Sequence, residues 1–154
     1  MVDSTEESKP AARRAQTILC FDYGTKTIGV AVGQSVTKTA NPLTDLKAKD
    51  GIPNWDDIGK IIDEWRPNLL LVGLPLNMDG SFSEISQRAK KFANRLHGRF
   101  GLPIEMADER LSSFEAKGEI IQQTGSRQFK TQNVDSLAAR IILEGWFQQN
   151  HHPQ

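Results

Sequence analysis

Cysteine is almost missing from this chain. Cys20 stands alone inside an apolar run, which excludes a disulfide framework and makes a reducing cytoplasm the expected compartment. Long hydrophobic runs are missing too. None approaches the roughly 18 residues of a membrane helix, so no bilayer-spanning helix is expected. An excess of charge is also lacking, because 19 Lys and Arg balance 19 Asp and Glu. Net neutrality removes any bulk attraction to nucleic acid and leaves the placement of cations to decide that question. Internal repeats are not evident, and neither is a low-complexity tract beyond the first residues.

What remains is an ordinary globular composition, with 38% hydrophobic and 25% charged residues in a chain of 154. That length fits one domain with a real core. Met1 to Thr17 is polar and mixed in charge, unlike a secretory signal. The expected organisation is a disordered leader over 1–16, one domain over 17–150 and a short tail over 151–154.

Hydrophobic periodicity outlines the elements. Ile18 to Phe21 reads as a buried strand that leads into the turn-rich Asp22-Tyr23-Gly24-Thr25-Lys26-Thr27. Ile28, Val30 and Val32 then alternate with smaller residues, giving a second strand and a hairpin. A third strand is expected between Thr37 and Leu46. Asn54 caps a helix with Trp55, Ile58, Ile61, Ile62 and Trp65 on one face, ended by Pro67. Leu69 to Val72 is apolar throughout, as for a strand covered on both faces. Ser81 with Glu84 matches a capping box for a helix to about Phe100, and Gly101-Leu102-Pro103 stops it. Ile104 to Ala107 forms a strand ending at Asp108-Glu109. Ser112 with Glu115 starts a helix to about Thr124, Gly125 to Gln132 is a polar loop, and Asn133 caps a final helix. A strand meander followed by alternating strands and helices implies an α/β fold: a mixed five-stranded sheet with helices on both faces.

Three acidic positions stand out. Asp22 ends an apolar strand, where a carboxylate loses solvation and needs a partner; an Asx-turn toward Gly24 is the plain alternative. Asp108-Glu109 ends another strand, as surface strands often do. Asp135 opens the last helix, where complementing the helix dipole would account for it. At 100° per residue, however, Asp135 falls within roughly 20° of Ile142 and about 60° of Ala138, on the border of the apolar stripe. It should therefore face the sheet edge. Carboxylates brought together repel one another unless a hard divalent cation joins them. Two Mg²⁺ or Mn²⁺ ions about 3.5–4 Å apart can activate water and stabilise a leaving oxygen in phosphodiester cleavage.

The stretches Phe21-Asp22-Tyr23-Gly24-Thr25-Lys26-Thr27-Ile28-Gly29-Val30-Ala31, Gly73-Leu74-Pro75-Leu76-Asn77-Met78-Asp79-Gly80-Ser81, Asp108-Glu109-Arg110-Leu111-Ser112-Ser113 and Val134-Asp135-Ser136-Leu137-Ala138-Ala139 resemble the YqgF/RuvX family. The likeness runs from about Thr17 to Gln148, with four motifs in the family's order. It implies an RNase H-like fold related to the Holliday-junction resolvase RuvC. It also implies a metal-dependent nuclease that matures the 5′ end of pre-16S ribosomal RNA. By motif position it makes Asp22, Glu109 and Asp135 the catalytic, metal-holding acids, with Asp79 and Asp108 as further candidates.

A nucleic-acid partner needs cations. Arg88, Lys90, Lys91, Arg95 and Arg99 fall between Ile85 and Ile104 with no acid among them. Four of these, Arg88, Lys91, Arg95 and Arg99, share one arc of the helix beside an apolar arc. A solvated face is the plain reading and phosphate contact the sharper one. Arg127 and Lys130 flank Phe129 in the polar loop, where the ring could stack on an unpaired base, and Lys26 lies four residues after Asp22. RNA is preferred over branched DNA as substrate, and a monomer or weak dimer is expected. Three alternatives stand beside this reading. One is a resolvase cutting branched DNA, and another is a non-catalytic RNA-binding assembly factor. The third is an actin-like ATP-binding protein, which would need two such domains where this chain holds one.

Overall fold

The computed structural model describes residues 15–111 and 134–150. Six strands form one sheet: β1 (Thr17–Asp22), β2 (Thr27–Gln34), β3 (Thr39–Lys49), β4 (Ile52–Pro53), β5 (Leu69–Leu74) and β6 (Ile104–Asp108). Their spatial order is β4-β3-β2-β1-β5-β6. The first four pair antiparallel in sequence, while β5 lies parallel to β1 and β6 parallel to β5. The sheet is mixed, as expected, with one strand more than the sequence indicated. The addition is β4, a two-residue strand after the Asp50-Gly51 turn, too short to leave a periodic trace.

Helices α1 (Trp55–Trp65), α2 (Glu84–Phe100) and α3 (Val134–Asn150) complete the described fold, with a short 3₁₀ turn at Glu109–Leu111. Both faces of the sheet are covered. Leu19, Phe21, Ile28, Val30, Leu70 and Val72 point into one core with Ile58 of α1 and Phe92 and Leu96 of α2. Ile18, Cys20, Ala31, Leu69 and Leu71 point the other way, against Ala139, Ile142 and Leu143 of α3. Central strands β1 and β5 therefore read as unbroken apolar runs.

Strand β2 alternates differently. Its large residues, Ile28, Val30 and Val32, face α1 and α2, whereas Gly29, Ala31 and Gly33 face α3. Small side chains on that face let α3 lie close. A Cβ at Gly33 would meet Leu143 Cδ2 at 2.6 Å and the Thr39 carbonyl at 2.9 Å. The alternation visible in the sequence therefore sets a layer spacing as well as a strand.

Caps fix the helix ends. Asn54 accepts a hydrogen bond from Asp56 N at 2.9 Å, as expected, and Arg66 in the left-handed region closes α1 before Pro67. The start of α2 differs from expectation. Its capping box is Ser83 with Ser86, two residues on from Ser81 and Glu84. Ser81 is already committed, since its backbone N and its hydroxyl both donate to Asp79 Oδ1, at 2.9 and 2.6 Å. Strand β3 also runs on to Lys49, past its expected end near Leu46. The expected helix from Ser112, the Gly125–Gln132 loop and the Asn133 cap lie outside the described residues.

Candidate active site

Strand register places one row of residues on the α3 face at the carboxyl end of β1. Asp22 pairs with Gly29, and Gly29 with Asp45 of β3. On the other side Phe21 pairs with Val72, so the next step of that parallel register sets Gly73 beside Asp22. Gly73 in turn pairs with Ala107. Asp22 therefore sits in the middle of the sheet with a glycine on either side. Neighbouring strands are about 4.8 Å apart, so each glycine opens a side-chain-sized space next to the carboxylate.

Both spaces are filled by acidic residues. A Cβ on Gly73 would lie 2.7 Å from Glu109 Oε2, so the Glu109 carboxylate occupies that gap, with Ile142 Cδ1 behind it at 2.9 Å. A Cβ on Gly29 would collide with the backbone carbonyl of Asp135, so the first turn of α3 lies directly on that glycine. Gly29 and Gly73 are what allow elements distant in sequence to approach Asp22.

Cys20 reports on the same corner. Its thiol is fully buried and held well above its ordinary pKa, chiefly by burial and further by the negative charges of Asp22 and Glu109. Asp22 and Glu109 thus act on one point from the α3 face. Asp135 is turned differently. Its carboxyl pKa is raised above the usual range by partial burial and by the charge of Asp45, against the smaller opposing effect of a hydrogen bond from Thr27. Asp45 accepts from Ser136 N at 2.8 Å, satisfying one of the free amides of the first turn of α3 from a neighbouring strand.

The acids thus stand as two pairs on either side of Gly29: Asp22 with Glu109, and Asp135 with Asp45. Among the described residues no group of three or more His, Cys, Asp or Glu side chains is gathered closely enough to hold a metal ion as it stands. A Mg²⁺ or Mn²⁺ ion suits the oxygen-only donors of the first pair. The Asp135 side chain meets Thr27 and Asp45, while its backbone lies on Gly29, the residue paired with Asp22.

The other candidates have definite positions. Asp108 accepts from Arg110 at 2.7 Å and is held below its usual range by that guanidinium. It alternates with Ala107, so it points away from the α3 face. Asp79 is engaged by Ser81 and also held low. Lys26 is exposed, and its carbonyl accepts from Ala48 N at 2.9 Å. Arg88, Lys91, Arg95 and Arg99 lie on α2, across the sheet from the acids. Arg88 pairs with Asp50 at 3.2 Å, and Arg99 lies 4.4 Å from the centre of the Trp55 ring. Arg127, Phe129 and Lys130 lie outside the described residues. Asp45 was missed by sequence reasoning, although an acid breaking the run between Leu43 and Leu46 was a visible signal.

A mixed sheet of this order, with helices on both faces and an acid ending the central strand, has the RNase H-like fold of the Holliday junction resolvases. Thermus thermophilus RuvC, solved with a Holliday junction substrate, matches with a TM-score of 0.53 at 14% identity, over 87% of this chain and 96% of its own. The Fowlpox virus resolvase, solved with junction DNA, gives 0.53 at 13% identity, over 86% and 97%.

Sequence narrows the class to a family. Residues 16–149 match the RuvX model, described as Holliday junction resolvase, and the chain belongs to that family. A Photobacterium profundum protein named "putative pre-16S rRNA nuclease" is 59% identical over 138 residues, covering 89% of this chain and 97% of the relative. A Glaesserella parasuis protein of the same name is 58% identical over 135 residues, covering 88% and 98%.

Proposed function

We propose that this protein is a divalent-metal-dependent endonuclease that hydrolyses phosphodiester bonds in the cytoplasm, trimming the 5′ end of pre-16S ribosomal RNA. The observation that carries the reading is the row Asp45–Gly29–Asp22–Gly73, in which two glycines admit Glu109 and the start of α3 to the flanks of Asp22. Helix capping alone would need neither glycine. Bound Mg²⁺ or Mn²⁺ would supply an activated water and stabilise the leaving oxygen.

The chain's own residues divide the remaining work. Asp22, fixed on a central strand, is the rigid member of the set. Glu109 reaches it from the 3₁₀ turn after β6, and Asp135 joins by giving up its hydrogen bond with Thr27. The raised pKa of Asp135 reflects a carboxylate short of compensation, which a cation would provide. Acids from three separate elements would lose their mutual geometry on unfolding, so metal affinity and folding are coupled.

Substrate choice rests on the relatives, whose names specify pre-16S rRNA. The resolvase fold favours branched DNA as the second reading. Purified protein is incubated with Mn²⁺ and, in parallel, a pre-16S 5′-end RNA and a four-way DNA junction. Wild type is expected to cut the RNA, with Asp22→Asn and Asp135→Asn slower by about 10²-fold or more. Cutting of the junction alone would establish the second reading. Equal cutting by wild type and variants would defeat the catalytic assignment and leave an RNA-binding role.

A further inference from the structure

The cations of α2 are not equivalent, and their differences define a second site. Arg88 donates to both the carbonyl and the carboxylate of Asp50, at 2.9 and 3.2 Å, and so builds a wall. Arg99 lies over Trp55. Lys91 and Arg95 remain exposed, with no acidic partner among the described residues. They face a cleft of about 240 Å³ whose other sides are Tyr23, Gly51, Trp55 and Phe92.

The cleft is built rather than incidental. Phe92 packs against Tyr23 and Trp55, with ring centres 5.2 and 5.8 Å apart. The Tyr23 hydroxyl donates to the Gly51 carbonyl at 3.3 Å, and Gly51 N donates to Thr25 O at 2.8 Å. Gly51 adopts φ +83°, and a Cβ there would strike the Tyr23 hydroxyl. The β3–β4 turn is thereby fastened to the segment that follows Asp22. Strand direction puts this turn, the amino end of α2 and Asp22 at the same end of the strands, with the cleft and the acids on opposite faces.

Charge and size choose the ligand. Three cations against one acid leave the cleft positive. Tyr23 and Phe92 are buried, and Trp55 is stacked by Phe92 and covered by Arg99, so the rings offer a base little exposed face. Its volume lies below the roughly 300 Å³ at which pockets begin to enclose whole small-molecule ligands. A single anionic group fits these terms.

We propose that this cleft is a phosphate-anchoring subsite: Lys91 and Arg95 bind the backbone of a single nucleic-acid strand that crosses the Tyr23–Thr25 lip from the Asp22 site. The inference rests on the nuclease reading for the strand's identity and adds where its non-scissile phosphates are held. The anchor sets the distance between a fixed phosphate and the cut.

The test measures binding without cleavage. A short fluorescent single-stranded oligoribonucleotide is titrated into full-length Asp22→Asn protein in chelator at several salt concentrations. The same is done after adding Lys91→Gln/Arg95→Gln or, as control, Lys38→Gln/Lys60→Gln; thermal melting confirms that each folds. Every single-strand phosphate deprived of its cation lowers the slope of log K against log salt by about 0.7, so the cleft pair should lower it by about 1.4. The control pair should leave the slope unchanged. An unchanged slope in the cleft variant, an equal drop in the control, or no measurable binding at low salt would overturn the proposal. Because no cutting is involved, such a result leaves the catalytic reading standing, and loss of that reading leaves the slope test intact.

Discussion

The two glycines beside Asp22 do the same thing by different means. At Gly73 the space is taken by the far ends of two side chains, Glu109 and Ile142. At Gly29 it is taken by backbone, the carbonyl of Asp135 and the amide of Ser136. Side-chain ends can rotate away from an added methyl, whereas a helix turn moves only with the whole helix. One flank of the site is therefore adjustable, and the other is part of the architecture.

Alanine substitution should expose the difference. Gly29→Ala must lift α3 from the sheet and uncover Ala139, Ile142 and Leu143. It should cost about 3 kcal/mol or more, read as a fall in urea midpoint. Gly73→Ala should cost only about 1–2 kcal/mol, because Glu109 and Ile142 can shift. Its cleavage rate should nevertheless fall about 10²-fold, since a displaced Glu109 no longer faces Asp22. Equal losses of stability in the two variants would break the contrast.

Asp45 sharpens the same point on the architectural flank. Asp45→Ala removes the acceptor for Ser136 N and should cost about 1–2 kcal/mol in chemical denaturation. Asp45→Asn keeps an acceptor oxygen and should recover part of that loss. It also removes the charge that adds to burial in raising the Asp135 pKa.

The smallest effect is in pH. Asp135 is raised in the folded protein, so the native state holds its proton to higher pH than the unfolded chain. In metal-free protein this term favours folding at low pH and is lost as pH rises from the ordinary Asp range through the raised value. Asp108 on the adjustable side has the opposite sign. Arg110 lowers it, so its contribution is present above the ordinary range and lost as pH falls through the lowered value. Urea midpoints across acidic pH for Asp135→Asn and Asp108→Asn should deviate from wild type in opposite directions.

Much of this was legible before any coordinates. The apolar runs of β1 and β5, the alternation of β2 and the Asn54 cap are local patterns, and each produced the expected element. The family likeness implies Asp22, Glu109 and Asp135; Glu109 and the first turn of α3 adjoin the glycines beside Asp22, with the Asp135 carboxyl set by Thr27 and Asp45. In sequence, Ser81 with Glu84 is as good a capping motif as the Ser83–Ser86 box that forms, and only the Asp79 turn removes Ser81 from contention. Asp45 escaped because it serves a helix 91 residues away.

The sequence by itself determined most of the described elements, the mixed sheet and the acids worth watching, because periodicity, caps and motifs are local chemistry. Tertiary structure alone decided that Gly29 and Gly73 flank Asp22, that Asp135 turns to Thr27 and Asp45, and that the α2 cations lie across the sheet from the acids. Register and helix docking set those relations, and both depend on contacts between segments that no local pattern encodes.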